Sequence, residues 1–165
     1  MTPAYWSQAL LHGPADVFRW LLVQMNLGSD PTLWETGKGQ DWPVQESTEP
    51  DQPDNCITVY DTTPRRDARM MTTGETYYHW GMQIRIRAQF KPYAAAKVHR
   101  MKVFLDQGVD QATVVVPATD AYPYSAQYLV PACSSNEPIY LGSDSPRTKR
   151  YVYTLNVTAP VLRIG

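Results

Sequence analysis

The chain has 165 residues, a hydrophobic fraction of 43% and a formal net charge of −1, from 15 basic and 16 acidic side chains. This length predicts a single domain over residues 1–165 with its own core, and the charge balance argues against a general nucleic-acid binder, which would usually be basic. No apolar run approaches the ~18 residues of a membrane span, and Met1–Leu11 lacks the basic start of a secretory signal, so we expect a protein made in the cytoplasm.

The first helix is predicted to begin at Gly13 and Pro14, because proline suits the first helical turn. Asp16 adds a negative charge near the positive end of this helix. The helix should end before Gly28 and Pro31, a glycine cap with a proline beyond it. Its apolar stripe is expected to face the core and consists of Val17, Phe18, Leu21, Leu22 and Met25.

The following segment is predicted to be rich in loops, with one short strand near Asp41–Ser47 and a β-branched strand at Cys56–Asp61. Thr62–Thr76 is then expected to form a polar loop. Such a loop is long for a compact domain, which makes it a candidate for function.

The most regular pattern is the strict alternation over Tyr77–Phe90, which predicts a long strand with one apolar face and one polar, cationic face. Arg85 and Arg87 lie on the cationic face. Helical spacing follows at Lys91–Gln107, with Gly108 as a stop. The apolar stripe of this second helix is Ala94, Val98, Met101 and Leu105.

The last third of the chain is predicted to be β. Its expected strands are Ala112–Val116, Ala126–Val130, Pro138–Gly142 and Tyr151–Thr158, the last of which closes the sheet. The order of helix, strands, long strand, helix and strands predicts an α+β fold. In this fold a mostly antiparallel sheet carries two main helices on one face.

Two sets of residues are candidates for contact with partners. In the Thr62–Thr76 loop, arginine is favoured at interfaces and methionine adapts to irregular surfaces, so we predict that this loop docks on a neighbouring subunit or another partner, the alternative being a disordered loop. Its docking residues are Arg65, Arg66, Arg69, Met70 and Met71. Arg85 and Arg87 are predicted to lie at a subunit interface or to face phosphate groups, since phosphate contacts need only cations. The alternative for this pair is a solvated strand face with cross-strand ion pairs.

No pattern of catalytic or metal-binding residues is apparent. His12, His79 and His99 have no partner at ligand spacing. Cys56 and Cys133 are far apart and are expected to be reduced, buried thiols. We therefore expect no catalytic residues, no cofactor, no metal site and no enzymatic activity.

Four segments, in matching order, resemble the tail terminator and minor capsid (tail completion) proteins of tailed bacteriophages. They are Pro53–Thr62, the strand Gly81–Ala88, the alanine-rich helix start at Tyr93–Ala96, and the closing region Tyr140–Val157. The resemblance implies a tail-terminator-like fold and a hexameric ring. Such a ring caps the tail tube, ends its polymerisation and joins the tail to the head or neck.

The partners implied by this resemblance are further copies of the chain, the tail tube protein and a head-completion or neck protein. In such a ring the tail tube would be a partner on which the Thr62–Thr76 loop docks. DNA would pass without specific binding through the lumen, which Arg85 and Arg87 would face where they do not lie at a subunit interface, and no membrane is involved. The protein would reside in the virion, in the tail or neck, after assembly in the host bacterial cytoplasm. The alternatives are a neck or head-completion (connector) protein and, from another class, a monomeric ligand- or peptide-binding α+β domain.

Overall fold

The structure, a computed structural model, describes residues 12–31, 42–69, 76–119, 123–144 and 149–164. Within these ranges, helix α1 spans Pro14–Gln24 and helix α2 spans Lys91–Gly108. The strands in chain order are β1 (Val44–Glu46), β2 (Cys56–Arg69), β3 (Thr76–Ala88), β4 (Ala112–Val116), β5 (Ala126–Val130), β6 (Ser134–Ser135), β7 (Ile139–Ser143), β8 (Tyr151–Ala159) and β9 (Leu162–Arg163).

The main sheet has the strand order β1-β2-β3-β8, and β6 and β7 share the outer edge of β8. Its pairs are antiparallel except for β1, which runs parallel to β2. A smaller antiparallel sheet has the order β4-β5-β9. The predicted α+β fold with a mostly antiparallel sheet is confirmed.

One face of the main sheet carries the hydrophobic core. Ile84 of β3 is fully buried and pairs with Val59 of β2 and Leu155 of β8, which are also fully buried. The alternation predicted for this strand explains the arrangement, because every second side chain points to the same face. Both helices pack here, and their buried residues join one cluster with those of the sheet: Ala15, Val17, Phe18, Leu21 and Leu22 from α1, and Ala94, Val98, Met101 and Leu105 from α2.

Helix α1 lies between the two sheets, because it contacts β1, β2 and β3 of the main sheet and β4 of the smaller one. Hydrogen bonds from both sheets fix its start. The Ala15 backbone N–H donates to Oδ1 of Asp61 at 2.9 Å, and the His12 backbone N–H donates to the Tyr128 hydroxyl at 3.0 Å. The carboxylate of Asp61 therefore occupies the positive end of the helix dipole.

The hairpin of β2 and β3 differs from the prediction. The predicted Cys56–Asp61 strand continues to Arg69, and its outer part pairs with Thr76–Gly81, so most of the predicted Thr62–Thr76 loop is strand. Two register shifts, each with an extra residue on β2, interrupt the outer pairing. The loop prediction was wrong here because such bulges interrupt the period of two by which a strand is recognised in a sequence.

The segment after α1 passes close to the start of β1. The Ser29 backbone N–H donates to the Trp42 carbonyl at 2.8 Å, and the Val44 backbone N–H donates to the Ser29 carbonyl at 3.0 Å. A Cβ atom at Gly28 would lie 2.9 Å from the Trp42 carbonyl oxygen and would collide with the Val44 side chain. Glycine at this position therefore permits the close approach of two backbone segments.

We predict that Gly28→Ala lowers the free energy of unfolding by about 1–3 kcal/mol, because a backbone carbonyl cannot move aside without strain. The matched control is Gly108→Ala, where the nearest atom is the flexible Cε of Met25 at 3.4 Å. Its effect should stay within about 0.5 kcal/mol. Urea denaturation of both variants measures the difference, and equal stabilities would contradict this packing of α1 against β1.

Candidate assembly surface

A loop at residues 48–55 covers the second face of the main sheet, and Arg87 of β3 lies at the centre of this contact. Its guanidinium donates to the Glu49 carboxylate at 2.9 Å and to the carbonyls of Pro50 and Pro53 at 2.7 Å each. Its Nε donates to the Asp54 carbonyl at 3.2 Å. Arg87 is 3% exposed, so the loop and the strand face bury this charge between them.

Arg150, just before β8, extends the same cluster. One of its terminal nitrogens lies 2.8 Å from Oδ2 of Asp144, which follows β7. The other donates to the Asp51 carbonyl at 2.5 Å. Arg150 is 7% exposed. It connects the 48–55 loop to the segment between β7 and β8, at the outer edge of the sheet.

Arg85 shares the face with Arg87 but differs in its surroundings. Its side chain is 34% exposed, and its Nε lies 2.8 Å from Oε2 of Glu49 without the alignment of a hydrogen bond. The predicted position at a subunit interface or lumen does not fit Arg87, whose donors bind the 48–55 loop within the chain. The alternation placed both arginines on one face, but it could not show that a distant loop covers only one of them. For Arg85 the prediction stays a prediction.

The predicted docking arginines Arg65, Arg66 and Arg69 lie in the outer half of the β2–β3 hairpin, and the structure does not bring them near Arg85. Arg65 pairs with His79, whereas Arg85 pairs with Thr58 in the inner half. Within the described ranges, the part of β3 before Trp80 pairs with β2 alone, so the outer hairpin is a two-stranded arm. Arg65, Arg66 and Arg69 are on its first strand, and Met70 and Met71 lie outside the described residues.

An exposed apolar surface wraps around the edge of the main sheet at β7, with Tyr140 on the helix face and Ile139 on the opposite face, and includes residues at the start of α2. We call it the β7 edge patch, and its aromatic and aliphatic members are 41% to 58% exposed. Lys91 connects its two parts, because Nζ lies 4.4 Å from the centre of the Tyr140 ring. The apolar members of the patch are Phe90, Tyr93, Ile139, Tyr140 and Leu141.

The patch is exposed because β7 is an irregular edge strand. Within the described part of the chain it pairs with β8 alone. A register shift between Tyr140 and Gly142 interrupts this pairing, and Gly142 has a φ of 90°, which glycine adopts without strain. Sequence reasoning missed the patch. The available signal was the unbroken apolar run Ile139–Leu141, since a half-buried strand would alternate.

The two cysteines are free thiols, of which Cys56 is buried and Cys133 is half-buried. Burial raises the pKa of the Cys56 thiol to about 11, outweighing the opposite effect of nearby Arg87. Burial also raises the pKa of the half-buried Cys133 thiol to about 12. Both are free and remain protonated at neutral pH, a state that is neither nucleophilic nor metal-binding. Among the described residues, no group of three His, Cys, Asp or Glu side chains is arranged to hold a metal ion.

We predict that Arg87→Ala lowers the free energy of unfolding by about 3–5 kcal/mol, because it leaves Glu49 and several loop carbonyls without their buried partner. Arg85→Ala, two positions away and facing the same carboxylate, should cost less than about 1 kcal/mol, because the Arg85 side chain is 34% exposed and makes no aligned hydrogen bond to that carboxylate. Guanidinium denaturation of both variants provides the comparison. Limited proteolysis should also cut the 48–55 loop faster in Arg87→Ala alone, and similar behaviour of the two variants would contradict the burial described.

No protein-family model matches the chain, and no curated protein sequence matches it significantly. Of the helices within the described ranges, none is long and apolar enough to cross a membrane. The resemblance to tail terminators therefore rests on the four sequence segments.

Proposed function

We propose that the chain is a structural virion protein of the tail-terminator kind, forming a hexameric ring that caps the tail tube, ends its polymerisation and joins the tail to the head or neck. The observation that carries the proposal is the β7 edge patch. An unpaired strand edge with exposed apolar side chains favours association, because a second subunit would cover both the backbone groups and the apolar surface. The order of the four resembling segments supports the same function.

The position of the patch suits a ring. The β7 edge patch lies at one edge of the main sheet, and β1 lies at the opposite edge. A contact between the patch and a different surface of the next subunit is head-to-tail, and such contacts close into a ring when the rotation allows it. A closed ring whose lower face complements the last ring of the tube, and whose upper face does not, ends polymerisation.

The outer β2–β3 hairpin is the proposed docking element toward the tube or a neighbouring subunit. Within the described ranges no third strand pairs with it, and a two-stranded arm of this kind can pair with a strand of a partner. Three arginines lie along its first strand, and arginine is enriched at protein interfaces. The net charge of −1 suits a lumen that lets DNA pass without gripping it.

We predict that the purified chain forms a closed oligomer in native mass spectrometry and that Leu141→Glu shifts it toward monomer. Loss of one buried leucine costs about 1–3 kcal/mol at each interface, and the loss recurs at every interface of the ring. The matched control is Val115→Glu on β4, whose valine is 51% exposed and lies outside the β7 edge patch. Its oligomer should be unchanged. A wild-type chain that stays monomeric at every concentration, and also with purified tail tubes, would contradict the proposal.

We also predict that deletion of residues 66–73 impairs assembly. This change removes the end of β2 from Arg66 to Arg69, together with residues 70–73 of the connection to β3. It leaves in place the Arg65–His79 pair and the pairs between it and the main sheet. If the arm contacts a neighbouring subunit, native mass spectrometry should show fewer closed rings. If it contacts the tube, electron microscopy should show normal rings and tails of abnormal length. Unchanged rings together with unchanged tail length would contradict the proposed docking role of the arm.

Particles lacking the chain provide the direct test of its place in the virion. Electron microscopy should show tails of abnormal length or tails without heads. Labelling of the chain at the head-proximal end of the tail tube agrees with a terminator, whereas labelling at the portal side would assign the neck or head-completion role. Absence of the chain from purified infectious particles would overturn both.

A further inference from the structure

A cleft of about 670 Å³ lies between α2 and the segments that connect α1 to β1 and β1 to β2. It is distinct from the β7 edge patch apart from Tyr93, which borders both. Its walls combine aromatic rings, neutral amides and cations, and the residues that define it are Asn26, Trp42, Asn55, Tyr93, Lys97 and Arg100.

The cations of this cleft have no acidic partner among the described residues. Lys97 and Arg100 lie one helical turn apart on α2, and neither is within 4.0 Å of a described carboxylate. Nζ of Lys97 instead lies 5.4 Å from the centre of the Trp42 ring. By contrast, Lys102 on the same helix is paired with Asp106 at 2.8 Å.

The surroundings of Lys97 disfavour its charge. Burial, and to a lesser extent the neighbouring guanidinium of Arg100, lowers the pKa of its amine from 10.5 to about 8. From the segments opposite α2, the cleft presents the neutral Asn26, Trp42 and Asn55 side chains, and Tyr93 is its other titratable group. The folded chain therefore holds a partly desolvated ammonium beside a second cation, an arrangement that an anion would stabilise.

We propose that this cleft binds the carboxylate or phosphate group of an anionic ligand, with Lys97 and Arg100 contacting the oxygens and Trp42 and Tyr93 flanking the rest of the ligand. The planar guanidinium of arginine matches both oxyanions, and lysine adds a point charge. The same chemistry occurs in a free organic anion and in an acidic segment of a partner protein. This inference does not depend on the proposed ring.

The test titrates the full chain with citrate, with inorganic phosphate and with a glutamate-rich peptide, using the NMR signal of the Trp42 indole and calorimetry. We expect saturable binding, with affinity at least tenfold lower in Lys97→Met and in Arg100→Gln. The control is Lys102→Met, a cation on the same helix that pairs with Asp106 outside the cleft, and its affinity should be unchanged. Tighter binding of the peptide would identify an acidic protein segment as the ligand. Tighter binding of citrate or phosphate would identify a free anion as the ligand.

The pH dependence separates this site from nonspecific charge attraction. A bound anion favours the charged amine, so binding raises the pKa of Lys97 from about 8 toward its ordinary 10.5 and takes up a proton between these values. Affinity for citrate, whose charge is constant in this range, should therefore fall as the pH rises through about 8, and Lys97→Met should lose this dependence. The absence of saturable binding with all three probes, or equal losses in Lys97→Met and Lys102→Met, would overturn the proposal.

Discussion

Arg87 holds the 48–55 loop against the second face of the main sheet, and the organisation of the whole sheet depends on this contact. A guanidinium can be buried only if most of its donors are paired, because the cost of removing it from water is otherwise several kcal/mol. Here one carboxylate and a set of backbone carbonyls accept from it. Its cross-strand neighbours Cys56 and Val152 are 1% exposed, so around Arg87 the polar face of β3 is a second buried layer.

Because both faces of the main sheet are covered, contacts with other molecules must use the remaining surfaces. The helices occupy one face of the sheet and the 48–55 loop occupies the other. What remains are the edge of the main sheet at the β7 edge patch, the outer part of the β2–β3 hairpin, and the cleft between α2 and the segments before β1 and β2. Contacts at opposite edges of one sheet can repeat around an axis, so these surfaces suit the proposed assembly.

Elements with a clear local period were predictable. The apolar stripe of α2 has helical spacing, and its helix is observed at Lys91–Gly108. The strands Ala112–Val116 and Ala126–Val130 are confirmed at the predicted bounds, and the closing strand extends by one residue to Ala159. The strands β6 and β9, of two residues each, were missed because a period of two cannot be recognised over so short a length.

The candidate site was predictable only in part, because its features come from contacts between distant segments. The sequence by itself determined the α+β class, the core faces of both helices and the cationic face of β3, since periodicity is a local property of the chain. Tertiary structure alone decided that Arg87 is buried while Arg85 is partly exposed, that Ile139–Leu141 lies at a sheet edge, and that Lys97 faces Trp42. The physical reason is that burial and charge pairing depend on which segments fold together, and the pairs Arg87–Glu49 and Lys97–Trp42 join segments that no local pattern relates.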